Sequence, residues 1–130
     1  AEHWDERMGD EGNDFFNVLC WPILASFLDV QPGQQVLDIA CGNGLTSRRL
    51  AALGATVTAF DFSANLIEKA KARSNLQSLI SYIVLDATDE QSLLTLGEGK
   101  FDSALSNMAL FDMPEIEALF RVLPRLLKPN

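Results

Sequence analysis

Apolar positions along the chain follow two alternating patterns. Continuous apolar runs of strand length cover residues 35–40, 55–61, 78–86 and 101–108. After each run, apolar side chains recur every three or four residues, as on one face of a helix, in residues 45–54, 63–75, 89–96 and 113–130. This order of four β-α units predicts an α/β fold, in which a parallel sheet carries helices on both faces.

Local signals predict where several helices begin and end. Residues 13–33 are apolar at helical spacing and form a further predicted helix before the first strand. Gly54 is expected to end the first helix of the repeating pattern, and Ser63 is expected to cap the second. Pro114 suits the first turn of the last helix, whereas Pro124 is expected to kink or interrupt that helix because proline donates no backbone hydrogen bond.

A polar residue lies at or near the end of each predicted strand. In chain order these residues are Asp38, Asp61, Asp86 and Asn107. Ligands of open α/β sheets bind beyond the carboxyl ends of the strands, so we expect the four residues to face one site. Taken singly, Asp61 or Asp86 would be equally consistent with a helix cap. The convergence of three carboxylates on one edge of the sheet favours a ligand-binding site.

The turn ACGNG follows the first predicted strand and indicates the class of ligand. Gly42 and Gly44 allow the backbone to bend and a ligand to approach closely. A dinucleotide would place its pyrophosphate at the next helix N-terminus, but three carboxylates oppose a polyanion. The dinucleotide fingerprint is also incomplete, because Ser47 stands where glycine or alanine is expected. A phosphate-free nucleoside with a positively charged ammonium or sulfonium group fits these residues better.

Composition narrows the possible partners. The chain has 130 residues, of which 48% are hydrophobic and 22% are charged, as is typical of one globular domain. Its net charge of −8 opposes nucleic acid, and the basic residues 69–73 are better explained as the solvated end of a helix. No apolar run is long enough to span a membrane, and the polar, acidic start predicts a cytoplasmic protein.

Residues that often carry metal or nucleophilic chemistry are sparse. Cys20 and Cys41 lack metal-ligand spacing, so we expect two reduced thiols and no metal site. His3 is the only histidine, and a solvated terminal side chain explains it better than a general base does. The sequence therefore assigns no catalytic residue.

The acidic strand ends and the glycine turn resemble those of class I S-adenosylmethionine-dependent methyltransferases of the small-molecule type. VLDIACGNG is similar to the first motif of this family, and FDFS, LDAT and FDSALSNMAL resemble the next three motifs in order. LPRLLKPN is similar to the helix and turn that precede the fifth strand of the family. Ala40 replaces the first glycine of the fuller first motif, which is a mild departure.

The resemblance implies which residues would bind the methionine part of S-adenosylmethionine. Asp38 and the backbone of the glycine turn would surround it, and the turn comprises Ala40, Cys41, Gly42, Asn43 and Gly44. The backbone at Asn107 and Met108 would line the same end of the cofactor and face the methyl acceptor.

The resemblance also implies residues for the adenosine part. Asp61 would accept hydrogen bonds from both ribose hydroxyls, with Phe62 beside the adenosine. Asp86 would accept from the adenine amino group, and the backbone of Ala87 would lie at the ring edge. Residues 35–130 would form this binding domain.

The resemblance implies two further features of the chain. Residues 1–34 would form a lid and helix, with Trp4 to Phe16 folding over the site. The family's sheet has seven strands in the order 3-2-1-4-5-7-6, and the resemblance ends before the fifth. We therefore expect a Rossmann-like fold with strands 5–7 absent from this chain. The fourth strand would be an exposed edge, which we expect self-association to protect.

The implied reaction is in-line transfer of the sulfonium methyl group to a small-molecule acceptor, with S-adenosylhomocysteine as product. Two alternatives stay open. An NAD(P)-linked oxidoreductase would use Asp61 equally well for a ribose, although Asp38 and the incomplete fingerprint oppose it. A non-catalytic S-adenosylmethionine-binding module would keep the same residues without turnover.

Overall fold

Four parallel strands form the centre of the molecule. The computed structural model describes residues 26, 28–39, 41, 44–73, 79–86, 88–106 and 117–129. The strands are β1 (Gln35–Ile39), β2 (Thr56–Asp61), β3 (Ile80–Val84) and β4 (Ser103–Leu105). The helices are α1 (Leu45–Ala52), α2 (Ala64–Arg73), α3 (Glu90–Leu94) and α4 (Glu117–Leu126). The sheet order is β3-β2-β1-β4 and every pair is parallel, which confirms the predicted α/β architecture.

Both faces of the central strands are buried. On one face, Val36 and Val57 pack with Leu50 of α1 and Ile67 of α2. On the other face the cluster includes Leu37, Phe60 and Phe101 from the sheet side and Leu93, Leu119 and Leu126 from α3 and α4. Because helices cover both faces, β1 and β2 are buried along almost their whole length rather than at alternate residues. A polar side chain inside such a strand is therefore an exception that needs a reason.

The predicted helix ends are largely confirmed. The hydroxyl of Ser63 accepts a hydrogen bond from the backbone N–H of Leu66 at 3.3 Å, as expected of the cap of α2. Gly54 has a φ of +94° two residues beyond α1. Its backbone N–H donates to the carbonyl of Ala51 at 2.9 Å, which closes the last turn of α1.

Pro124 was expected to kink or interrupt the last helix, and the interruption is wrong, whereas a kink stays a prediction. α4 continues through Pro124 to Leu126, and the N–H of Leu127 still donates to the carbonyl of Leu123 at 3.2 Å. The buried Leu126 anchors this last turn against the sheet. The carbonyl of Leu126 also accepts from the N–H groups of Lys100 and Phe101, at 3.0 and 3.1 Å. The packing of Leu126 and these hydrogen bonds offset the loss of the backbone hydrogen bond that Pro124 cannot donate.

The fourth strand is shorter than the sequence suggested. β4 spans Ser103–Leu105, while Phe101 lies outside it and forms an isolated bridge to Leu127. Within the described part of the sheet, β4 is an edge that pairs only with β1. Self-association through this edge stays a prediction.

Several expectations concern residues outside the described ranges. The lid at Trp4 to Phe16 is one of them. Of the predicted N-terminal segment, Leu28 and Val30 are described, and they pack against the apolar cluster under α1 and α2. No helix among the described residues is long and apolar enough to cross a membrane.

Candidate functional site

The polar exception in β1 is Asp38, which lies on the sheet face covered by α1. It is only 1% exposed, and it shares that face with Val36. Ser47, in the first turn of α1, is fully buried, and its hydroxyl donates to Asp38 Oδ2 at 2.6 Å. One oxygen of the buried carboxyl group is thereby held by a neutral donor.

Asp61 ends the neighbouring strand on the same face. Asp38 pairs with Ala59, so Asp61 lies two residues further towards the carboxyl end of β2. Its side chain is buried, and Oδ1 accepts from the backbone N–H of Ser63 at 2.9 Å. That hydrogen bond turns the chain towards α2, so Asp61 acts locally as a turn residue as well.

The two carboxyl groups influence each other. Burial raises the pKa of Asp38, the hydrogen bond from Ser47 lowers it and the charge of Asp61 raises it, so that the pKa rises overall from 3.8 to about 7. Burial therefore favours the protonated form of Asp38 towards neutral pH in the absence of ligand. A cation beside it would favour the ionised carboxylate, so the pair suits a positively charged group.

Asp86 differs from the other two acidic residues. It is exposed and follows Leu85 just beyond β3. Its Oδ1 accepts from both the hydroxyl and the backbone N–H of Thr88, at 2.7 and 2.9 Å, and these bonds lower the pKa of Asp86. The three acidic residues thus lie at the carboxyl-end side of the sheet, but only Asp38 and Asp61 are buried there.

Gly44 lies where other parts of the protein pack closely. Its φ of +84° confirms the expected bend, and its carbonyl accepts from the N–H of Arg48 at 2.9 Å in the first turn of α1. A Cβ atom at Gly44 would lie 2.6 Å from Tyr82 Oη and 2.9 Å from Ala70 Cβ. Protein atoms therefore fill the direction in which a side chain would project, and the approach of a ligand to the backbone of Gly44 stays a prediction.

Cys41 continues the sheet at the start of the glycine turn. Its N–H donates to the carbonyl of Phe60 at 2.8 Å, and its side chain is buried in the cluster under α1 and α2. Burial, followed by the charges of Asp38 and Asp61, raises the pKa of its thiol well above the usual range. The thiol is therefore a packing group and not a nucleophile.

An apolar surface flanks Asp61 at the edge of the sheet. Phe62 is 68% exposed, and Val84, which pairs with Asp61 across β2 and β3, is 52% exposed. The other described phenylalanines of the sheet region, Phe60 and Phe101, are almost completely buried. Exposed apolar groups beside buried carboxylates suit a ligand with a flat apolar ring and polar substituents.

Part of the predicted site lies outside the described residues, and the structure places Ser47 beside the rest of it. Six predicted binding residues lie outside the described ranges, namely Ala40, Gly42, Asn43, Ala87, Asn107 and Met108. Ser47 was considered in the sequence only as a mismatch to the dinucleotide fingerprint. The available signal was the position of Ser47 in the first turn of α1, directly after the glycine turn. The first turn of this helix faces the end of β1.

Comparison with known proteins decides the family. Residues 37–130 match a family described as "Methyltransferase domain". This chain belongs to the S-adenosylmethionine-dependent methyltransferases. The predicted family, and S-adenosylmethionine as the cofactor of that family, are confirmed. The match gives no support to the oxidoreductase alternative.

Curated relatives of this methyltransferase domain are longer than the chain. It is 37% identical over 100 residues to a ubiquinone biosynthesis O-methyltransferase of Xanthomonas campestris pv. campestris, covering 76% of this chain and 41% of that protein. It is 34% identical over 131 residues to a 2-phytyl-1,4-naphtoquinone methyltransferase of Nostoc sp., covering 93% of this chain and 56% of that protein. The chain spans about half the length of these relatives.

Solved structures confirm the Rossmann-like class I fold of this methyltransferase domain. An S-adenosylmethionine-dependent methyltransferase from Mesorhizobium loti matches with a TM-score of 0.73 and 30% identity, covering 84% of this chain and 48% of that one. The [4+2]-cyclase SpnF matches with a TM-score of 0.72 and 25% identity, covering 83% of this chain and 40% of that one.

Replacing Gly44 by alanine is expected to destabilise the domain more than replacing Gly33 does. Both glycines have a φ near +85°, at +84° and +87°, so both variants incur a backbone cost of about 1–2 kcal/mol. No atom lies within 4 Å of a Cβ at Gly33, whereas Gly44→Ala adds an overpacking cost of about 1–3 kcal/mol. Urea unfolding of the two variants measures the difference. Equal losses would contradict the close approach at Gly44.

Asp38→Asn is expected to stabilise the ligand-free protein above neutral pH. Because folding raises the pKa of Asp38 to about 7, the folded state binds more protons than the unfolded state between about pH 4 and pH 7. The free energy of unfolding of the wild-type protein therefore falls as the pH rises through that window. The free energy of unfolding that Asp38→Asn gains over the wild-type protein should increase up to about pH 7 and then level off, at a few kcal/mol at most. Urea unfolding from about pH 5.5 to about pH 8.5 measures it, and a gain independent of pH would refute the burial effect.

Proposed function

We propose that this chain is the cofactor-binding part of a methyltransferase that uses S-adenosylmethionine and acts on an aromatic acceptor of the quinone class. The observation that carries the proposal is the buried pair Asp38 and Asp61 on one face of the sheet, inside a chain of this family. Buried carboxyl groups are costly unless a partner offsets their charge. A cationic ligand provides such a partner.

The described residues fit the chemical groups of S-adenosylmethionine. Asp38 is the partner we assign to the positively charged methionine end, because it is buried and accepts a hydrogen bond from the neutral Ser47. Asp61 is assigned to the ribose hydroxyls, and the exposed Phe62 and Val84 to the adenine ring. Asp86, ionised and exposed, is assigned to the adenine amino group.

Bound S-adenosylmethionine supplies a methyl group that its positive sulfur already activates. The chain's own contribution is therefore to bind, orient and shield the reacting groups. Ser47 and the turn at Gly44 hold Asp38 in place, and Ser63 orients Asp61. No general base is assigned among the described residues, and Asn107 and Met108 stay predicted as the segment that faces the acceptor.

The names of the relatives support the acceptor class. One relative is named for ubiquinone biosynthesis and the other for a phytylated naphthoquinone, so both names refer to a quinone ring. The first name specifies O-methylation, and the second does not name an atom. We therefore propose a quinone-type ring as acceptor, in a cytoplasmic protein, without assigning the methylated atom.

A second candidate is an S-adenosylmethionine-binding module without methyl transfer. The observation that favours it is the structural match to SpnF, which is named as a [4+2]-cyclase. This fold therefore occurs in a protein named for another reaction. Both candidates require cofactor binding, and turnover separates them.

Asp61→Asn is expected to weaken binding of S-adenosylhomocysteine by about 10- to 100-fold, the effect of losing a hydrogen bond to a charged acceptor. The carboxamide retains an oxygen that can accept from the N–H of Ser63, so the turn is preserved. Glu68→Gln, on the exposed surface of α2, removes the same charge and serves as control. Calorimetric titration measures both affinities. Unchanged affinity in Asp61→Asn would refute the ribose assignment.

A protein that contains this chain is also expected to transfer a methyl group to a quinone-type ring. S-Adenosylmethionine labelled in its methyl group should label a hydroxylated benzoquinol or naphthoquinol when incubated with a protein that contains this chain. Labelled product is measured after organic extraction, with Asp61→Asn as the reduced-activity control. Cofactor binding without any labelled product would favour the non-catalytic candidate instead.

A further inference from the structure

We propose that Ser47 is a positioning residue that sets the pH range in which cofactor binding is proton-linked: it holds Asp38, whose carboxyl group releases a proton when the positively charged cofactor binds. The inference rests on the proposed function and goes beyond it, because it assigns a role to Ser47 and a proton to the binding step. The proton leaves the carboxyl oxygen of Asp38 and passes to solvent buffer.

The first support is the fixed geometry of the pair. Ser47 is fully buried in the first turn of α1, and its hydroxyl lies 2.6 Å from Asp38 Oδ2. The start of α1 packs closely against α2 and β3, since a Cβ atom at Gly44 would lie 2.9 Å from Ala70 Cβ and 2.6 Å from Tyr82 Oη. This packing leaves little room beside the turn, and Oδ2 of Asp38 accepts from the serine hydroxyl.

The second support is the set of charges around the carboxyl group. From β2 it is faced by Asp61, and after β1 by the thiol of Cys41, which stays protonated. α1 contributes the neutral Ser47 beside Asp38. The causes that shift the pKa of Asp38 are its burial, the hydrogen bond from Ser47 and the charge of Asp61, and none of these is a cation.

These surroundings make the protonation of Asp38 depend on the ligand. A buried carboxyl group beside another carboxylate favours its neutral form, whereas a nearby cation favours the charged form. A ligand that binds the charged form better must displace the proton, by linkage. The hydroxyl of Ser47 donates to the charged form and stabilises it, so the serine sets the pH range in which the exchange takes place.

The test is calorimetric titration with S-adenosylmethionine and with S-adenosylhomocysteine, in buffers of different ionisation enthalpy, from about pH 6 to about pH 9. The dependence of the heat on the buffer gives the number of protons released. Wild-type protein is expected to release about half a proton at about pH 7, and progressively less above that pH. Both ligands carry an ammonium group, but only S-adenosylmethionine carries a sulfonium. Proton release on binding of both ligands would assign the release to the ammonium group. Proton release on binding of S-adenosylmethionine alone would assign it to the sulfonium.

Ser47→Ala is the decisive variant. It should shift the pH of half-release upwards by about one unit and weaken binding on the order of tenfold at about pH 7, with affinity recovering at higher pH. Ser47→Thr retains a hydroxyl and should restore the wild-type profile. Ser92→Ala removes a similar hydrogen bond, from Ser92 to Asp89 at 2.8 Å on the opposite side of the sheet, and should change nothing.

The outcomes separate this inference from the proposed function. If wild-type protein binds neither ligand, the proposed function fails and this inference fails with it. If wild-type protein binds but Ser47→Ala weakens binding equally at every pH, the serine has only a structural role and this inference alone is overturned. A shifted profile in Ser47→Ala that Ser47→Thr restores supports it.

Discussion

The space at Gly44 is occupied by other parts of the protein, and the arrangement of the site depends on that contact. Tyr82 from β3 and Ala70 from α2 approach where a side chain would otherwise project. Their approach fixes the start of α1, and the start of α1 brings Ser47 to Asp38. Because Gly44 has no side chain, the turn can pack this closely, and the packing favours the position of Ser47 beside the carboxyl group of Asp38 in β1. Packing and electrostatics are coupled here, because the same turn serves both.

The acidic strand ends combine two roles that the sequence presented as alternatives. A carboxylate after a strand can cap the next turn or bind a ligand. Asp61 accepts from the N–H of Ser63, and Asp86 accepts from Thr88, so both shape the chain locally. Each hydrogen bond also fixes the orientation of its carboxylate. A side chain already oriented by its own turn loses less conformational freedom when a ligand binds.

The sequence predicted most of the fold because the relevant signals are local. Apolar periodicity located the strands and helices, and Ser63 and Gly54 identified helix ends through contacts within three residues. The errors arose where distant residues decide the outcome. α4 continues through Pro124 because the loop before β4 satisfies the carbonyl of Leu126. The burial of Asp38 and its contact with Ser47 were not predicted either. Both depend on how α1 packs on the sheet, which is a contact between distant parts of the chain.

Tyr82 gives the glycine turn an intrinsic optical probe. It is the only tyrosine in the chain, and its hydroxyl lies beside Gly44. Within these 130 residues, absorbance or fluorescence of tyrosine therefore originates at the wall of this turn. The two tryptophans, Trp4 and Trp21, both precede the first strand. Energy transfer from Tyr82 to them would connect the turn with the N-terminal segment without any added label.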